Sequence, residues 1–561
     1  MNAERLLALY EKVAEAPDAI ARLRRFVLDL AVRGKLVAQD AGDEPASELL
    51  KRIRAEKARL VKAGEIRKPR DFANREDLES PFDIPASWRW CRLDTVGAII
   101  GGGTPSAGDP ENFVEPGFGI PWLTPADLGG YADLFIKRGA RDLTEKGLTS
   151  SSATMMPAGT VLFTSRAPIG YVAIAANPIS TNQGFKSIVS YLTNCTRFIA
   201  LAMQSFAPEI DAKAPGTTFK EVSGKIVAGI PFPLPPLAEQ RRIVAKVEEL
   251  MALLDRLEAA RTAREATRDR LTAASLARLT APDTDPAEFP ANARFALDTL
   301  PALIARPDQI KALRQTILNL AVRGKLVEQD PADEPALVEK HRVEDEPPFN
   351  APSGWQWVPF SAVAAFENGD RSKKYPKRAE YVASGVPWIN TGHIEPDGTL
   401  SRSTMHFITE EKFASLGGGK IRPGDLVYCL RGATFGKTAI VEPYERGAIA
   451  SSLMIIRPGE QIDRRYAFIY LTSPLGREQL RRFDNGTAQP NLSSASVKRY
   501  QIPLPPLAEQ HRIVAKVDAL MALCDRLEAA LTAADTTRAR LLEALLHDAL
   551  APADVVMAAA E

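Results

Sequence analysis

The sequence predicts an α+β chain in which one unit occurs twice. It is read as a tandem pseudo-two-fold repeat of two strand-rich domains separated by long antiparallel coiled-coil-like helices. Three observations predict this. LPPLAEQRRIVAKVEELMALLDRLEAA (234–260) returns 270 residues later as LPPLAEQHRIVAKVDALMALCDRLEAA (504–530), with 23 of 27 positions identical. LRRFVLDLAVRGKLVAQDAGDEPA (23–46) returns 290 residues later as LRQTILNLAVRGKLVEQDPADEPA (313–336), with 17 of 24 identical. The stretches framed by these segments are punctuated by Gly and Pro and share only a faint skeleton.

In chain order, the reading is a helical region and linker over 1–81, a strand-rich domain over 82–232 and a central helical region over 233–348. A second strand-rich domain follows over 349–502, then a C-terminal helical region over 503–561. LRRFVLDLAV is expected to end as a helix at Gly34, and its counterpart at Gly324. A glycine there accepts the left-handed cap conformation, and the flanking cations suit the helix C-terminus. The linker 54–80 is much longer than the stretch near 341–348 and suggests an extra charged helix in the first copy. After Pro235-Pro236, apolar residues fall at Ile243, Val247, Leu250, Leu254 and Leu257, the alternating spacing of a heptad seam. Ile513, Val517, Leu520, Cys524 and Leu527 repeat it. Pro282, Pro286 and Pro290 are expected to stop the first long helix.

The two domains align weakly. Trp88-Arg89-Trp90 matches Trp355-Gln356-Trp357, and IPWLTPADL (120–128) matches VPWINTGHI (386–394). GTVLFTSRAPIG (159–170) matches GDLVYCLRGATFG (424–436), and GTTFKEVS (216–223) matches GTAQPNLS (486–493). The tryptophans are expected in the core. Helices that stay alike beside domains that diverge suit a scaffold that holds two different reading modules. Residues 82–232 carry 12 basic and 12 acidic side chains; residues 349–502 carry 20 and 14, a net of +6. RSKKYPKR (371–378) supplies much of that excess and is a candidate for phosphate contact, although such runs are usually solvated loops.

Composition excludes several classes. The chain has 561 residues, net charge +1, 45% hydrophobic and 25% charged residues, which suits an ordinary globular protein. No apolar run approaches the length of a membrane helix. Glu4, Arg5, Glu11 and Lys12 break any leader-like core, so no membrane and a cytoplasmic setting are the expectation. Cys91, Cys195, Cys429 and Cys524 form no CxxC pair, and no histidine pair suggests a metal, so neither metal nor cofactor is expected. Residues 432–438, GATFGKT, fall one residue short of a phosphate loop. No GxGxxG strand–helix unit, GxSxG elbow, or [DN]PP[YFW] methyltransferase tetrad is present. No catalytic residue is therefore nominated.

This organisation resembles the specificity (S) subunits of type I restriction–modification enzymes, the N-6 DNA methylase S subunit family. The motifs that carry the resemblance are Trp88-Arg89-Trp90 after Pro85, the PWL and PWI segments at 121–123 and 387–389, and above all the two PLPPLAEQ segments that run into long helices. RGKLV before each domain fits as well. The resemblance covers nearly the whole chain. It implies two target-recognition domains that each read half of a split site in double-stranded DNA, with the helices as a ruler between them. It also implies two methyltransferase (M) subunits docked on the helices, and restriction/translocase (R) subunits joining the assembly. The subunit itself would be non-catalytic. A helix of about 40 residues spans on the order of 60 Å, enough to set two modules along one duplex.

Candidate DNA contacts are Arg166, Thr181, Asn182, Gln183, Lys186 and Lys220 in the first domain. In the second they are Arg371, Lys373, Lys374, Asn390, Arg431, Asn485, Gln489 and Asn491. Arginine and lysine match guanine acceptors or phosphate, and asparagine and glutamine match adenine. For each, a structural or merely solvated role remains open. Two other readings also stay open: a tandem-repeat protein–protein scaffold without DNA binding, and an enzyme with an unrecognised site.

Overall fold

The computed structural model describes residues 7–8, 10–11, 13–66, 80–216, 220–280, 288–338, 346–432, 435–483 and 492–550. Four helices organise it: α1 (Ala19–Val32), α2 (Leu237–Thr280), α3 (Pro307–Val322) and α4 (Leu507–Leu550). Both long helices have 44 residues, about 66 Å each. The chain divides into two compact units, one holding 1–263 and 535–561, the other 264–534. Each long helix thus begins in one unit and ends in the other.

In the first unit, α1 runs antiparallel to α2. Arg24 pairs with Asp255 at 2.6 Å and Glu258 at 2.7 Å, and Arg261 donates to the Ala16 carbonyl at 3.3 Å. Beyond α1, Arg242 forks onto Asp43 at 3.1 and 2.6 Å. The last part of α4 lies parallel to α1: Arg22 donates to the Ala539 carbonyl and Lys35 to that of Leu550. Leu542 joins Val13, Ala16 and Ala19 in a small core. Against α1, therefore, α2 runs antiparallel and the last part of α4 runs parallel. The second unit repeats the plan. Arg314 pairs with Asp525 and Glu528 at 2.6 Å, Arg512 forks onto Asp333, and Arg306 reaches Glu265 and Asp269 at 2.6 and 2.8 Å. An additional helix, Phe289–Leu303, adds Ala296 and Leu300 to the core beside Leu276 and Leu279.

The heptad seam is buried mainly within each unit. Ile243, Val247, Leu250 and Leu254 share a core with Leu23, Phe26, Val27 and Leu30 of α1 and with the first domain. Ile513, Val517 and Cys524 do the same with α3 and the second domain. Leu527, at the end of the seam, is 36% exposed. The long helix α2 ends at Thr280, before the proline-rich stretch; Pro282 and Pro286 lie outside the described residues, and Pro290 stands in the first turn of the additional helix. A charged helix does follow RGKLV, but it spans Ala46–Lys62, starting before the 54–80 linker that suggests it and covering 54–62 of that linker; residues 67–79 lie outside the described residues. Among the described residues no helix is long and apolar enough to cross a membrane, and no cluster of three metal-ligating side chains occurs.

Both helix caps form as the glycines predict. Gly34 and Gly324 have φ of 68° and 67°. Lys35 N–H donates to Leu30 and Gly34 N–H to Ala31, and Lys325 and Gly324 repeat the pattern with Leu320 and Ala321. This is the paired-bond cap that satisfies the last carbonyls of a helix.

Each strand-rich domain is closed at its neck by an antiparallel pair, Arg89–Arg92 with Pro231–Leu234, and Gln356–Pro359 with Gln501–Leu504. Beyond the neck of the first domain lies a five-stranded sheet ordered 97–101, 186–190, 161–165, 169–175, 135–136, together with a four-stranded sheet. The second domain has two four-stranded sheets; the first is ordered 364–368, 453–458, 426–429, 438–440. A parallel pair recurs in both, Trp122 opposite Ser180 and Trp388 opposite Ala448. Helix Thr196–Lys213 lies on the first sheet; two shorter helices, Arg464–Thr472 and Pro474–Arg482, take its place in the second domain.

Candidate nucleic-acid interface

The strand register places the two domains on one frame. Lys186 stands opposite Gly101 and Met454 opposite Asn368; Ile188 pairs with Val161 and Ile456 with Leu426. Just past these strands, Ser165 N–H donates to Gly184 and Leu430 N–H to Ser452. Arg166 and Arg431 therefore leave equivalent strands at the same end of the sheet. The segments 216–223 and 486–493 also end alike: Val222 N–H donates to Ser165 and Leu492 N–H to Leu430.

At this end of the first domain the structure gathers Arg166, Asn182, Gln183 and Lys186. Lys186 Nζ lies 3.2 Å from the Gln183 carbonyl and 3.4 Å from Ser165 Oγ. Gln183 is exposed, and its amide oxygen accepts from the Thr104 hydroxyl. Asn182 folds its side-chain oxygen back onto Gly184 N–H at 2.8 Å. Glu221 stands by both cations, 3.5 Å from Arg166 and 3.7 Å from Lys186. Burial lowers the Lys186 ammonium below its ordinary value, with Glu221 opposing and Arg166 reinforcing that shift.

One candidate of the first domain is corrected, and another is engaged locally. Thr181 is buried in the strand beside Trp122 and Leu123, where its side chain cannot meet a base. Lys220 turns its ammonium onto the C-terminal turn of helix 196–213, 2.9 Å from the Asp211 carbonyl. That is a capping contact, made by a side chain that is still 40% exposed.

In the second domain Arg371, Lys373 and Lys374 are exposed on the loop that follows strand 364–368. Asp370 shapes the loop by accepting Ser372 N–H at 2.6 Å and Gly417 N–H at 2.7 Å. Gly369 N–H donates to Leu453, which places the start of this loop beside the turn that precedes Leu453. Arg431 is exposed at the same end. Asn390 is engaged locally: its side-chain oxygen caps Gly392 N–H at 2.8 Å and its amide nitrogen lies 3.3 Å from His406. Asn485, Gln489 and Asn491 lie outside the described residues.

Two residues at the first domain's end escaped the motif reading, Thr104 and Glu221. The signal for Glu221 was present. Aligning GTTFKEVS with GTAQPNLS puts Glu221 opposite Asn491, the same register that the backbone bonds of Val222 and Leu492 show.

The repeated motifs have a structural use. Trp88 Nε1 donates to Glu239 at 2.9 Å and Gln39 Nε2 to its other oxygen at 2.6 Å. Trp355 and Gln329 do the same to Glu509 at 2.9 and 2.7 Å. Gln240 and Gln510 donate to the Pro235 and Pro505 carbonyls. Burial raises both carboxyl groups above their ordinary value, and the Trp and Gln donors oppose it. A Cβ on Gly34 or Gly324 would meet Pro85 at 2.5 Å or Pro352 at 2.4 Å.

The sequence is similar to known proteins over most of its length. The profile of the type I restriction modification DNA specificity domain matches residues 85–264 and 352–534. The type I restriction enzyme EcoAI specificity subunit of Escherichia coli is 28% identical, over 95% of this chain and 94% of its own length. The EcoEI specificity subunit of the same organism is 29% identical, over the same shares. The MjaIX specificity subunit of Methanocaldococcus jannaschii is 40% identical over 28% of this chain and 37% of its own. Among solved structures, the HsdS subunit from Thermoanaerobacter tengcongensis covers 84% of this chain and 98% of its own at 22% identity, with a TM-score of 0.42.

Proposed function

Because the chain belongs to the type I restriction modification DNA specificity family, we propose that it reads a split, asymmetric site in double-stranded DNA and directs partner subunits to it. One observation supports this most. Polar side chains, Arg166, Gln183 and Lys186 in one copy and Arg371, Lys373, Lys374 and Arg431 in the other, converge on the same end of two equivalent sheets, and apart from the matching arginines Arg166 and Arg431 they differ between the copies. The parts that stay alike form the frame: Trp88 with Glu239, Trp355 with Glu509, and the two helix caps. Different heads on a like frame suit two unlike half-sites.

The full-length relatives are specificity subunits, and this chain is read as one: it recognises, and other subunits catalyse. Two methyltransferase subunits on the helical regions and restriction/translocase subunits beyond them complete the proposed assembly, working in the cytoplasm on chromosomal DNA. Base contacts at the sheet ends would specify, and the lysines of 371–374 would grip phosphate.

Adenine methylation mapped across the genome, with and without this chain, tests the reading. The expected result is loss of one bipartite motif with unlike halves. An unchanged methylation map, or duplex binding that ignores sequence when the methyltransferase is present, leaves the protein–protein scaffold as the better reading.

A further inference from the structure

We infer that Glu221 is a base-reading residue of the first domain, its carboxylate accepting the exocyclic amino hydrogen of a cytosine while Arg166 addresses the guanine paired with it. The inference rests on the proposed reading of this surface as a DNA interface.

Glu221 sits at the reading end itself, since the next residue, Val222, bonds to Ser165 at the end of the strand that delivers Arg166. Its side chain is 45% exposed and its ion pairs are long, 3.5 Å to Arg166 and 3.7 Å to Lys186. The pairs that hold the helices together are tighter: Arg24 meets Asp255 and Arg314 meets Asp525 at 2.6 Å. Glu221 is therefore held near two cations without being locked to either. The frame does not demand a carboxylate there, because the matching position of the second domain is Asn491. Nor does polyanion binding favour one, since a carboxylate near phosphate is repelled. Its remaining use is chemical. In the major groove a G·C pair shows two acceptors on guanine and one amino donor on cytosine. Arg166 carries only donors and Glu221 only acceptors, side by side, so the pair complements that edge. Lys186 beside them keeps the local charge positive.

The test uses the full chain expressed with its methyltransferase subunits, as wild type, Glu221→Ala and Glu221→Gln, with methylated motifs read by sequencing and melting curves recorded for each. Wild type is expected to show one bipartite motif. Glu221→Ala is expected to relax a single G·C position in one half by roughly tenfold or more, with the other half unchanged. Glu221→Gln, which keeps the shape, is expected to shift that position toward A·T, because glutamine matches adenine. An unchanged motif in both variants overturns the inference, whether or not affinity for all duplexes rises. Relaxation at a position that was A·T overturns the cytosine assignment. A wild type without any bipartite motif overturns the proposed function itself, which separates the two failures.

Discussion

Trp88 donates its indole N–H to the Glu239 carboxylate at 2.9 Å, across 151 residues of sequence. The bond ties the neck of the first domain to the first turns of α2. Gln39, just after the α1 cap, completes the same carboxylate. One buried acid thus joins three motifs that look independent in sequence, and Glu509 does so again with Trp355 and Gln329. Removing the acid strands a buried indole donor and frees an exposed glutamine. Glu239→Ala is expected to lower the stability of the first unit by about 2–4 kcal/mol, and Glu509→Ala that of the second by a similar amount. Hydrogen exchange on each variant checks this: protection should fall first in the unit that carries the substitution. Equal loss in both units would contradict it.

Gly34 is required twice over, by its φ of 68° and by Pro85, which leaves no room for a Cβ. Gly34→Ala is expected to destabilise the first unit by about 2 kcal/mol or more. Gly64 has φ of 73° at the end of helix 46–62 but open space around it. Gly64→Ala therefore bears only the conformational cost, about 1–2 kcal/mol. Thermal melting of the two variants should rank them in that order.

The contrast between these glycines shows what could be read in advance. RGKLV announced a cap because a repeated Gly flanked by cations has a local physical meaning. The clash with Pro85 lies 51 positions away in sequence and had no local signal. Likewise the heptad pattern correctly marked Ile243, Leu250 and Leu254 as apolar faces, yet periodicity does not say what covers a seam, and much of the cover is α1 and the domain core. For the candidate interface, residue type alone nominated Arg166 and Lys186, which the fold brings together, Thr181, which it buries, and Lys220, which it engages locally. Burial of Thr181 follows from its parallel pairing with Leu123, and the turn of Lys220 from the Asp211 carbonyl. Both are tertiary facts. Side-chain type cannot reveal them.

His393 is buried beside Asn390, whose backbone N–H donates to its Nδ1 at 3.2 Å. Burial first, then the neighbouring His406, pull its pKa down to about 4. The folded chain thus keeps this ring neutral where the unfolded chain would protonate it near 6.5. The sign follows: its contribution is whole above about pH 6.5 and is lost as pH falls toward 4, on the order of 1–3 kcal/mol. Glu509, with its raised carboxyl, opposes this over part of the range. The difference between wild type and His393→Asn isolates the histidine. Denaturant titrations from pH 7 to 4.5 should show a flatter profile for the variant, and parallel profiles would refute the assignment.

Arg371, Lys373 and Lys374 have no ion pair among the described residues, whereas Arg166 and Lys186 share Glu221. The second domain should therefore supply more of the salt-dependent grip. Replacing all three by alanine is expected to weaken binding to every duplex alike. It should also reduce the slope of log affinity against log salt by up to about 2.7, at about 0.9 per phosphate contact. Anisotropy titrations with the methyltransferase-bound chain at several salt concentrations measure both. A loss confined to one sequence would instead mark the loop as a base reader.

The two long helices pass between the units within one residue of equivalent places, α2 after Ala263 and α4 after Ala534. Each is anchored at both ends: α2 by Asp255 and Glu258 in one unit and by Glu265 and Asp269 in the other, α4 by Asp525 and Glu528 and then by Ala539 and Leu550. If the two helices act together as the spacer, a change of length in one alone is expected to disturb the anchors of the other. Seven residues inserted after Ala263 only are expected to lower the melting temperature and reduce methylation, without a clean change of motif. Seven inserted after both Ala263 and Ala534 keep every anchor and add about 10 Å to both connections. The half-sites should then be unchanged and the gap between them longer by about 3 base pairs, at 3.4 Å per step. Methylation mapping of both variants decides the matter: a double insertion that methylates sites with the original gap would show that the helices do not set the spacing.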